Sequence, residues 1–440
     1  MFNFDAYEVV VGLEVHAQLM TQSKLFCGDS IAYGAAPNTH VSPITLGHPG
    51  TLPKMNRKAI EYAVKMGLAC HCEIEQHNYF ARKNYFYPDL PKGYQVSQHT
   101  TPICKTGFVT IKAGDSEKNV RLNRIHLEED AGKSIHDIDD ENTCIDYNRA
   151  GTPLIEIVTE PDIRSSDEAF AFVSEIRKLV RYLEVCDGNM EEGSLRCDAN
   201  ISVRIKGETK LGTRVEVKNL NSIRNVKRAI DVEAKRLIEI IEAGGTIQQQ
   251  TRSFDANTGT TQAIRDKEDA DDYRYFPEPD LTPFHLQDEF IEKIRRSIPV
   301  LPEERIEKYT TKLKLSDYDA SVLTEERVVS DYFEQIILHT TNYKAAANWM
   351  LGPVKSWMNE NGKEITEFPL KPEQLVSLIT LIDEGKVNFS SASTKIFPAL
   401  LANPDKEAAS IAKEENLIQE SDVSAIGPII DQVLDKFADK

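Results

Sequence analysis

The sequence lacks the features of membrane and secreted proteins. No apolar run approaches the ~20 residues that a membrane-spanning helix needs. Residues 1–11 carry Asp5 and Glu8 but no basic segment, so they do not resemble a secretion signal. The seven cysteines form no C-x-x-C pair, and the C-H-C at residues 70–72 is not a complete ligand set. We therefore expect a cytoplasmic protein with reduced thiols and no membrane contact.

Positive charge is also scarce. Lysine and arginine number 52 against 70 aspartate and glutamate residues, which gives a formal net charge of −18. Because phosphate contacts depend on lysine and arginine, this balance argues against a general nucleic-acid binder. Any contact with RNA would have to come from local basic patches.

Several common catalytic motifs are absent. The sequence contains no H-E-x-x-H, G-x-S-x-G or G-x-G-x-x-G motif. The segment AGKS at residues 131–134 resembles the end of a phosphate-binding P-loop, but Leu127 stands where that motif needs its first glycine. Ser390 and Ser391 are better explained by helix capping than as nucleophiles. A P-loop nucleotidase and a serine hydrolase are therefore not indicated.

The pattern of the sequence changes along the chain, whose 440 residues predict two or three domains. Up to about residue 290, short alternating segments predict strands, with helices at residues 57–68 and 166–183. Beyond Pro283 the pattern predicts helices at residues 287–297, 302–313, 320–338, 343–358 and 372–384. We predict an α+β protein with an antiparallel-sheet domain over residues 1–290 and an all-α domain over 291–402. Residues 403–440 read as the start of a further helical tail domain that is incomplete.

Alternation gathers chemically active side chains on one face of several predicted strands. These residues are Glu14, His16 and Gln18 in the first strand, Arg196, Asp198, Asn200 and Ser202 in a second, and Arg214, Glu216 and Lys218 in a third. Glu156 is alone in an apolar run at residues 154–158. Residues 125–130 bring His126, Glu128, Glu129 and Asp130 together.

For any one strand, a simple solvated face is an equally good explanation. The whole set favours a site, because carboxylates, a histidine and basic groups are interleaved. An unpaired carboxylate in apolar surroundings, as at Glu156, costs several kcal/mol unless it is neutralised or bound to metal. Carboxylates with one histidine suit Mg²⁺ or Mn²⁺, which usually bridge to substrate phosphates. The sequence therefore predicts a metal-holding sheet for phosphoryl chemistry.

Two further segments combine aromatic residues with charge. Residues 82–92 place three aromatics beside three cations, with two prolines. Aromatic rings stack on bases and cations contact phosphates, so this segment is a candidate for nucleic-acid contact, but composition alone favours packing of its rings in the core. Residues 271–280 are more acidic, which favours core packing or ion handling.

At this point a family resemblance becomes visible in seven segments. They are residues 11–16 (VGLEVH), 82–89 (RKNYFYPD), 126–133 (HLEEDAGK), 148–156 (NRAGTPLIE), 190–200 (MEEGSLRCDAN), 217–221 (VKNLN) and 271–280 (DDYRYFPEPD). The sequences of these segments, and their order along the chain, resemble those of the B subunits of the tRNA-dependent aspartyl/glutamyl amidotransferases. The helical C-terminal part is similar more loosely.

The resemblance implies a ligase that forms C–N bonds and takes part in protein biosynthesis. ATP would phosphorylate the side-chain carboxylate of glutamate misattached to tRNA(Gln), or of aspartate misattached to tRNA(Asn), and ammonia would then displace the phosphate. It also implies a sheet cradle of the glutamine synthetase and guanidino-kinase type. Ammonia from glutamine would come from an amidase A subunit, held with this chain by a small C subunit in a heterotrimer.

The resemblance also assigns roles to individual residues, with ATP and Mg²⁺ as cofactors. Metal would be held by Glu14, His16, Glu129, Glu156 and Asp198, the last of which could instead position ammonia. Catalytic roles fall to Lys83, Asp198, Glu216 and Lys218. ATP or substrate would contact Arg82, Lys83, Tyr85 and Lys218.

The chain departs from the family pattern in two ways. Many members carry a four-cysteine zinc site, whereas this chain keeps Cys27 and has Asp29, Ser42 and Thr45 at the other positions. One thiolate cannot build a structural zinc site, so no zinc is expected. Family chains also usually continue into a helical tail domain that grips tRNA, which here looks cut short.

Two other functions stay open at the level of sequence. A small-molecule ATP-dependent carboxylate–amine ligase would fit the net charge of −18 but not the appended helical domain. The other is a non-catalytic scaffold that only holds tRNA for a partner, which changing Glu129 or Glu156 to glutamine in an intact assembly would distinguish from an enzyme.

Overall fold

The computed structural model describes residues 3–114, 116–139, 141–266 and 273–419. The chain divides into two compact units, Met1–Pro299 and Val300–Lys440. Strands and four long helices form the described part of the first unit, and helices form that of the second. Among the described residues, no helix is both long enough and apolar enough to cross a membrane.

Seventeen strands are found in the described part of the first unit. They are β1 Tyr7–Gln18, β2 Glu73–Ile74, β3 His77–Asn78, β4 Ala81–Asn84, β5 Tyr94–Ser97, β6 Cys104–Lys105, β7 Phe108–Ala113, β8 Ser116–Glu129, β9 Lys133–Ile135, β10 Cys144–Asp146, β11 Pro153–Thr159, β12 Leu195–Ile205, β13 Val215–Leu220, β14 Gln250–Asp255, β15 Thr260–Asp266, β16 Phe276–Pro277 and β17 Phe284–His285. Ten of them form one large sheet in the order β15-β14-β13-β12-β1-β11-β8-β6-β2, with β7 paired to β8.

The large sheet is mixed, which corrects the prediction of a purely antiparallel one. Its strands pair antiparallel except for β13 and β14, which run parallel. Parallel neighbours need a crossover connection. That connection is α3, Ile223–Glu242, a 20-residue helix that was not among the helices predicted from the sequence.

The bounds of the helices follow local capping signals. In the first unit they are α1 Arg57–Ala69, α2 Ser166–Tyr182, α3 and α4 Asp288–Ser297. The side chains of Asn56, Ser165 and Ser222 accept hydrogen bonds from backbone N–H groups in the first turns of α1, α2 and α3. Such caps satisfy donors that a helix leaves without an internal partner.

The sheet separates an apolar face from a polar one. Packing of α2 against β7 and of α3 against β12 covers part of the sheet. In β1, Leu13, Val15 and Ala17 are 0% exposed, whereas Glu14 and His16 between them are half-buried. The alternation predicted for residues 9–19 is thereby confirmed, and it leaves the polar side chains on the face that is free to form a site.

The described helices of the second unit enclose their own core around Trp349 and Phe333. Their bounds are α5 Pro302–Thr311, α6 Asp317–Leu323, α7 Arg327–Ile337, α8 Tyr343–Trp349, α9 Lys355–Asn361, α10 Pro372–Asp383, α11 Phe389–Ser391, α12 Phe397–Ala402 and α13 Ala408–Glu414, with π-helical turns at Met350–Val354 and Ala392–Ile396. Residues of α13 belong to this core. The predicted tail domain from residue 403 stays a prediction, because residues 420–440 lie outside the described residues.

One predicted helix of the second unit is wrong in its extent. Residues 320–338 were expected to form a single helix, but α6 ends at Leu323 and α7 begins at Arg327. The buried Thr324 side chain bonds to the Ala320 carbonyl, and the Ser330 hydroxyl bonds to the Leu323 carbonyl. Short polar side chains that bond locally compete with the helical ladder, which accounts for the break.

Gly67 marks a close approach of α1 to β6. A Cβ atom at this position would lie 2.3 Å from the Sγ atom of Cys104. We expect Gly67→Ala to lower the free energy of unfolding of the first unit by about 1–3 kcal/mol through overpacking, although alanine favours helix. Urea denaturation followed by circular dichroism measures this change. Adding Cys104→Ala should restore most of the loss, and Gly28→Ala, where a Cβ meets nothing within 4 Å, is the control. Equal stability of Gly67→Ala and the wild type would contradict the argument.

Candidate active site

The strand register of the large sheet brings distant polar residues side by side. Between β1 and β12, Glu14 lies opposite Asp198. Between β1 and β11, His16 lies opposite Glu156, and Glu156 in turn lies opposite His126 of β8. Directly opposite residues on one face have Cβ atoms about 4.5–5.5 Å apart, so their side chains meet.

The first cluster consists of His16, Glu128 and Glu156. Each offers one ligand atom, and these atoms all lie within 4.8 Å of one another. The Nε2 atom of His16 is 3.8 Å from a carboxylate oxygen of each glutamate. His126 adjoins the cluster, with its Nε2 atom 3.1 Å from Glu156 Oε2 and 3.6 Å from Glu128 Oε2.

Charges of opposite sign stabilise the first cluster. Burial lowers the pKa of His126, but the carboxylates of Glu156 and Glu128 outweigh burial and raise this pKa to about 9. Burial alone would raise the pKa of Glu156, yet His126, His16 and Lys83 hold it well below its usual range. The Glu156 carboxylate that the sequence left unexplained is therefore kept ionised by its neighbours.

The second cluster consists of Glu14, Asp198 and Glu216, whose ligand atoms again lie within 4.8 Å of one another. The ammonium of Lys218 lies 3.1 Å from Asp198 Oδ2 and 3.5 Å from Glu216 Oε1. Asn200 Nδ2 donates to Glu14 Oε1 at 2.8 Å. Three carboxylates thus share one lysine within a partly buried volume.

This second cluster carries an excess of negative charge. The pKa of Glu14 is raised by burial and then by the nearby charges of Glu156 and Glu216. The pKa of Lys218 is raised well above its usual value, because Asp198 and Glu216 outweigh the effect of burial. Hard oxygen ligands that repel one another in this way fit a divalent cation such as Mg²⁺, which would relieve the repulsion. The donor set of each cluster therefore suits a hard metal ion.

Aromatic rings surround Lys83 at the edge of the first cluster. Its ammonium lies 4.8 Å from the ring centre of Tyr273 and 5.6 Å from that of Tyr85. Burial lowers the pKa of Lys83, but Tyr275 and the cluster carboxylates outweigh it, so the pKa is raised. The Tyr85 hydroxyl donates to Gln95 Oε1 at 3.3 Å. Lys83 is therefore a fixed positive charge beside Glu128 and Glu156.

Two residues predicted for the site have side chains that bond to partners away from both clusters. Glu129 bonds to the Lys92 ammonium and accepts from the Val96 backbone N–H, so its carboxylate is turned away from His16. Arg82 forms a bidentate pair with Glu278. Successive residues of a strand point to opposite faces, so Arg82 cannot share the face of Lys83, nor Glu129 that of Glu128.

One cluster residue, Glu128, and its neighbour His126 were missing from the predicted site set. Glu128 takes the position that was expected for Glu129, and His126 adjoins it. The i, i+2 spacing of His126 and Glu128 in β8 was the signal that could have found them, because it puts both on one face. The predicted residues Glu14, His16, Glu156, Asp198, Glu216 and Lys218 are those that the structure brings together.

Beyond the first cluster, the same sheet face carries paired arginines. Asp130 Oδ2 accepts from Arg196 Nη2 at 2.8 Å and from Gln18 Nε2 at 2.7 Å, and it lies 3.8 Å from Arg149 Nε. The pKa of Asp130 is raised by burial but lowered more by the two arginines, so its carboxylate stays charged. This end of the face therefore combines positive charge with hydrogen-bond donors.

A hydrogen-bonded group occupies the segment where the sequence led us to expect no zinc, and it consists of Cys27, Asp29, Ser42 and Thr45. Thr45 Oγ1 donates to Asp29 Oδ2 at 2.5 Å, and Cys27 Sγ lies 3.3 Å from the same oxygen and 3.4 Å from Thr45 Oγ1. The Thr45 backbone N–H lies 3.5 Å from Ser42 Oγ. Burial raises the pKa of the Cys27 thiol, which disfavours the thiolate that zinc requires.

We expect this loop to be stable without zinc. Elemental analysis of the purified chain should find no stoichiometric zinc, and a strong chelator should leave the thermal midpoint unchanged. The reason is that hydrogen bonds among Cys27, Asp29 and Thr45 take the place of metal ligands. One equivalent of zinc, or a lower midpoint with chelator, would refute the expectation. A chelator-treated zinc enzyme serves as the positive control.

Comparison with known families identifies the class of the first unit. Residues 9–292 match the family model described as the GatB/GatE catalytic domain, and residues 331–440 match the model described as the GatB domain. The first match includes both carboxylate clusters, so the site lies within a catalytic domain.

Curated relatives cover nearly the whole chain. Three of them are named as the B subunit of aspartyl/glutamyl-tRNA(Asn/Gln) amidotransferase. The protein of Thermodesulfovibrio yellowstonii is 50% identical over 430 residues, 98% of this chain and 90% of the relative. Those of Pelodictyon phaeoclathratiforme and Geobacter sulfurreducens are 51% and 49% identical, over 98% and 97% of this chain and 90% of each relative. The chain belongs to the family of aspartyl/glutamyl-tRNA(Asn/Gln) amidotransferase B subunits.

Proposed function

We propose that this chain phosphorylates and then amidates the side-chain carboxylate of glutamate or aspartate carried by tRNA(Gln) or tRNA(Asn). The observation that carries the proposal is the pair of carboxylate clusters on one sheet face, each beside a lysine. Relatives at about half identity that are named as amidotransferase subunits support the tRNA-dependent reaction. The sheet would act as a cradle of the glutamine synthetase type.

The two clusters would hold the divalent cations that phosphoryl transfer from ATP requires. The proposed ligands are His16, Glu128 and Glu156 in the first cluster and Glu14, Asp198 and Glu216 in the second. When bound, such ions neutralise the negative charge that a carboxylate and ATP bring together. Glu128 replaces Glu129 in this ligand set, because Glu129 is bonded to Lys92.

The lysines supply the remaining positive charge. Phosphorylation joins the substrate carboxylate oxygen to the γ-phosphorus of ATP and releases ADP, so negative charge moves along the line of transfer. Lys83, fixed beside Glu128 and Glu156, would orient the substrate carboxylate. Lys218, bonded to Asp198, would stabilise the phosphates. Tyr85 would close the aromatic wall around Lys83, whereas Arg82 would hold the loop of Glu278.

Ammonia then attacks the activated carbonyl carbon, and the bond from this carbon to the phosphate oxygen breaks. The attacking nitrogen must lose a proton as the amide forms. Asp198 is the proposed group to position ammonia and take that proton, because its carboxylate lies 3.1 Å from the Lys218 ammonium on the open sheet face. Phosphate leaves with the electron pair of the broken bond, which completes the reaction.

The proposal requires partners, since none of the described clusters resembles a glutaminase. Ammonia would come from an amidase A subunit, and a small C subunit would hold the two together as a heterotrimer. The misacylated tRNA would approach from the end of the face that carries Arg149 and Arg196. That local charge meets the need for basic patches in a chain of net charge −18.

The test is ADP release by the reconstituted complex with Mg²⁺ and ammonium, with and without Glu-tRNA(Gln). We expect release that depends on the misacylated tRNA, because the carboxylate to be phosphorylated arrives on it. Correctly charged Gln-tRNA(Gln) is the matched control, since it offers no free carboxylate. Release with free glutamate alone would instead favour a small-molecule ligase, and no release with either substrate would favour a scaffold.

A further inference from the structure

Arg196 adjoins both carboxylate clusters on the polar face of the large sheet. In the register of β1 and β12 it lies opposite His16, a member of the first cluster. Asp198, a member of the second cluster, follows two residues later in β12 and therefore points to the same face. Arg196 thus has one cluster across the strand pair and the other along its own strand.

The charges of both clusters act on the Arg196 guanidinium. Burial lowers the pKa of Arg196, but nearby carboxylates outweigh burial and raise this pKa, Asp130 most strongly among them. Glu128 of the first cluster and Asp198 of the second contribute in the same direction. The guanidinium is therefore within electrostatic reach of a carboxylate from each cluster.

One edge of this guanidinium is held in place and the remainder is available to a ligand. Its Nη2 atom donates to Asp130 Oδ2 at 2.8 Å. Gln18 Nε2 donates to the same oxygen at 2.7 Å, and the Ala131 backbone N–H donates to Asp130 Oδ1 at 3.0 Å, so both carboxylate oxygens are fixed. Within the described part of the chain, Asp130 is the one hydrogen-bond partner of Arg196, whose side chain is 32% exposed. Since a guanidinium has five N–H donors in a rigid fork, most of them remain for a ligand.

Arg149, the other arginine at this end of the face, is bonded in a different way. Its Nε and Nη2 atoms donate to the backbone carbonyls of Ala131 and Gly132, at 3.0 and 2.6 Å. These bonds hold a loop in place and leave fewer donors for a ligand. Of the two arginines, Arg196 is the one whose remaining donors adjoin the clusters.

We propose that Arg196 binds the phosphoryl group while it passes from ATP to the substrate carboxylate, and that Asp130 is the positioning residue that holds Arg196 for this contact. This role rests on the proposed function and adds a residue that touches the reacting atoms. In the transfer, the bond from the γ-phosphorus to the oxygen of the β-phosphate breaks, a bond to the carboxylate oxygen forms, and ADP leaves. Negative charge is then spread over the three other oxygens of the phosphoryl group, two of which the planar fork of arginine matches.

The place of Arg196 fits the moving group better than either end of the transfer. Lys218, at the second cluster, is proposed for the phosphates of ATP, and Lys83, beside the first, for the substrate carboxylate. A phosphoryl group that moves from one to the other passes between the clusters, and Arg196 adjoins both of them. A cation fixed at that point stabilises the transition state more than it stabilises the bound substrates.

Arg196→Lys tests the contact, because lysine keeps the positive charge but lacks the fork. In the reconstituted complex with Mg²⁺, ammonium and Glu-tRNA(Gln), we expect kcat for ADP release to fall by about 100-fold or more. The KM values for ATP and for the tRNA should stay within about threefold of wild type, since the lost interaction belongs to the transition state. Arg204→Lys is the matched control: Arg204 shares the strand and the face but pairs with Glu8, and its variant should keep the full rate.

Fluoroaluminate bound together with MgADP probes the contact directly, because its planar form stands in for the transferred phosphoryl group. We expect the wild-type complex to bind it, and Arg196→Lys to lose about tenfold or more of this affinity. The affinity for MgADP alone should not change, whereas a general loss of structure would weaken that affinity as well. Equal affinity of variant and wild type for fluoroaluminate would overturn the contact.

Asp130→Asn tests the positioning role, because asparagine keeps the size of the side chain and removes its charge. We expect kcat to fall by about tenfold or more, since a misplaced group loses much of its effect on the transition state. The double variant with Arg196→Lys should be no slower than Arg196→Lys alone, because Asp130 acts through Arg196. Losses that multiply in the double variant would show that Asp130 acts elsewhere. This variant and the fluoroaluminate measurement also keep the proposal open to refutation where Arg196→Lys fails to assemble.

The remaining outcomes separate the role of Arg196 from the function beneath it. An unchanged kcat of Arg196→Lys in an active complex would overturn the role and leave the proposed function standing. An unchanged kcat with a raised KM for Glu-tRNA(Gln) would assign Arg196 to the binding of RNA, which also overturns it. A wild-type complex without ADP release that depends on the misacylated tRNA would remove the proposed function, and the role of Arg196 with it.

Discussion

Replacing Glu156 by glutamine is expected to lower the rates of ADP release and of amide formation by about 100-fold or more. Glu156 lies in the middle of the site: His16 is opposite it on one neighbouring strand and His126 on the other. Glutamine keeps the size and one oxygen but removes the negative charge that faces His16, His126 and Lys83. The cation would then lose a charged ligand, and less negative charge would remain to balance the positive charge of Lys83.

The measurement is a Mg²⁺ titration of activity in the reconstituted complex. A lost ligand should raise the Mg²⁺ concentration needed for half-maximal activity as well as lower the maximal rate. Glu160→Gln is the matched control, because Glu160 follows the same strand but accepts a hydrogen bond from Asn123 away from both clusters. Full activity of Glu156→Gln, with an unchanged Mg²⁺ dependence, would show that the first cluster is not part of the active site.

Two adjacent glutamates of β8 should affect different properties when each is changed to glutamine: Glu128 the affinity for Mg²⁺, and Glu129 the stability of the fold. Glu128→Gln should lower Mg²⁺ affinity and activity with little loss of stability, because its carboxylate faces His16 in the first cluster. Glu129→Gln should leave the Mg²⁺ affinity of the folded protein within about twofold of wild type. It should instead lower the free energy of unfolding by about 1–3 kcal/mol, because the half-buried Lys92 ammonium loses its charged partner.

Chemical denaturation and Mg²⁺ titration on the same preparations measure both effects. Each variant is the control for the other, since they differ by one position and by the same chemical change. A loss of Mg²⁺ affinity in Glu129→Gln and not in Glu128→Gln would restore the ligand set first predicted from the sequence and would refute the placement of the two side chains.

Patterns within a single strand could be predicted from the sequence. Alternation identified the shared face of Glu14 and His16, and that of Asp198 and Asn200, because the side-chain period of two is a local property of extended backbone. The charge at Glu156 inside an apolar run was likewise visible without a structure. The same period was available for His126 and Glu128, but three consecutive carboxylates at residues 128–130 hid the choice between Glu128 and Glu129.

Two features of the fold were not predicted from the sequence: the parallel pairing of two strands and the break in a helix. The sheet was expected to be antiparallel throughout, yet α3 returns the chain so that β14 runs parallel to β13. The helix expected at residues 320–338 is interrupted near Thr324, where local side-chain bonds replace the helical ladder. In the first case the deciding contacts join strands that are far apart in the sequence. In the second case they are local hydrogen bonds of a polar side chain, which the pattern of apolar residues does not reveal.

The sequence by itself determined the family motifs, the polar strand faces and the kinds of side chain available for holding metal and phosphate. Only the tertiary structure decided which of these side chains meet. Register between strands groups His16 with Glu156 and Glu14 with Asp198. The physical reason is that alternation depends on neighbours in the chain, whereas register depends on hydrogen bonds between strands that are far apart in the sequence.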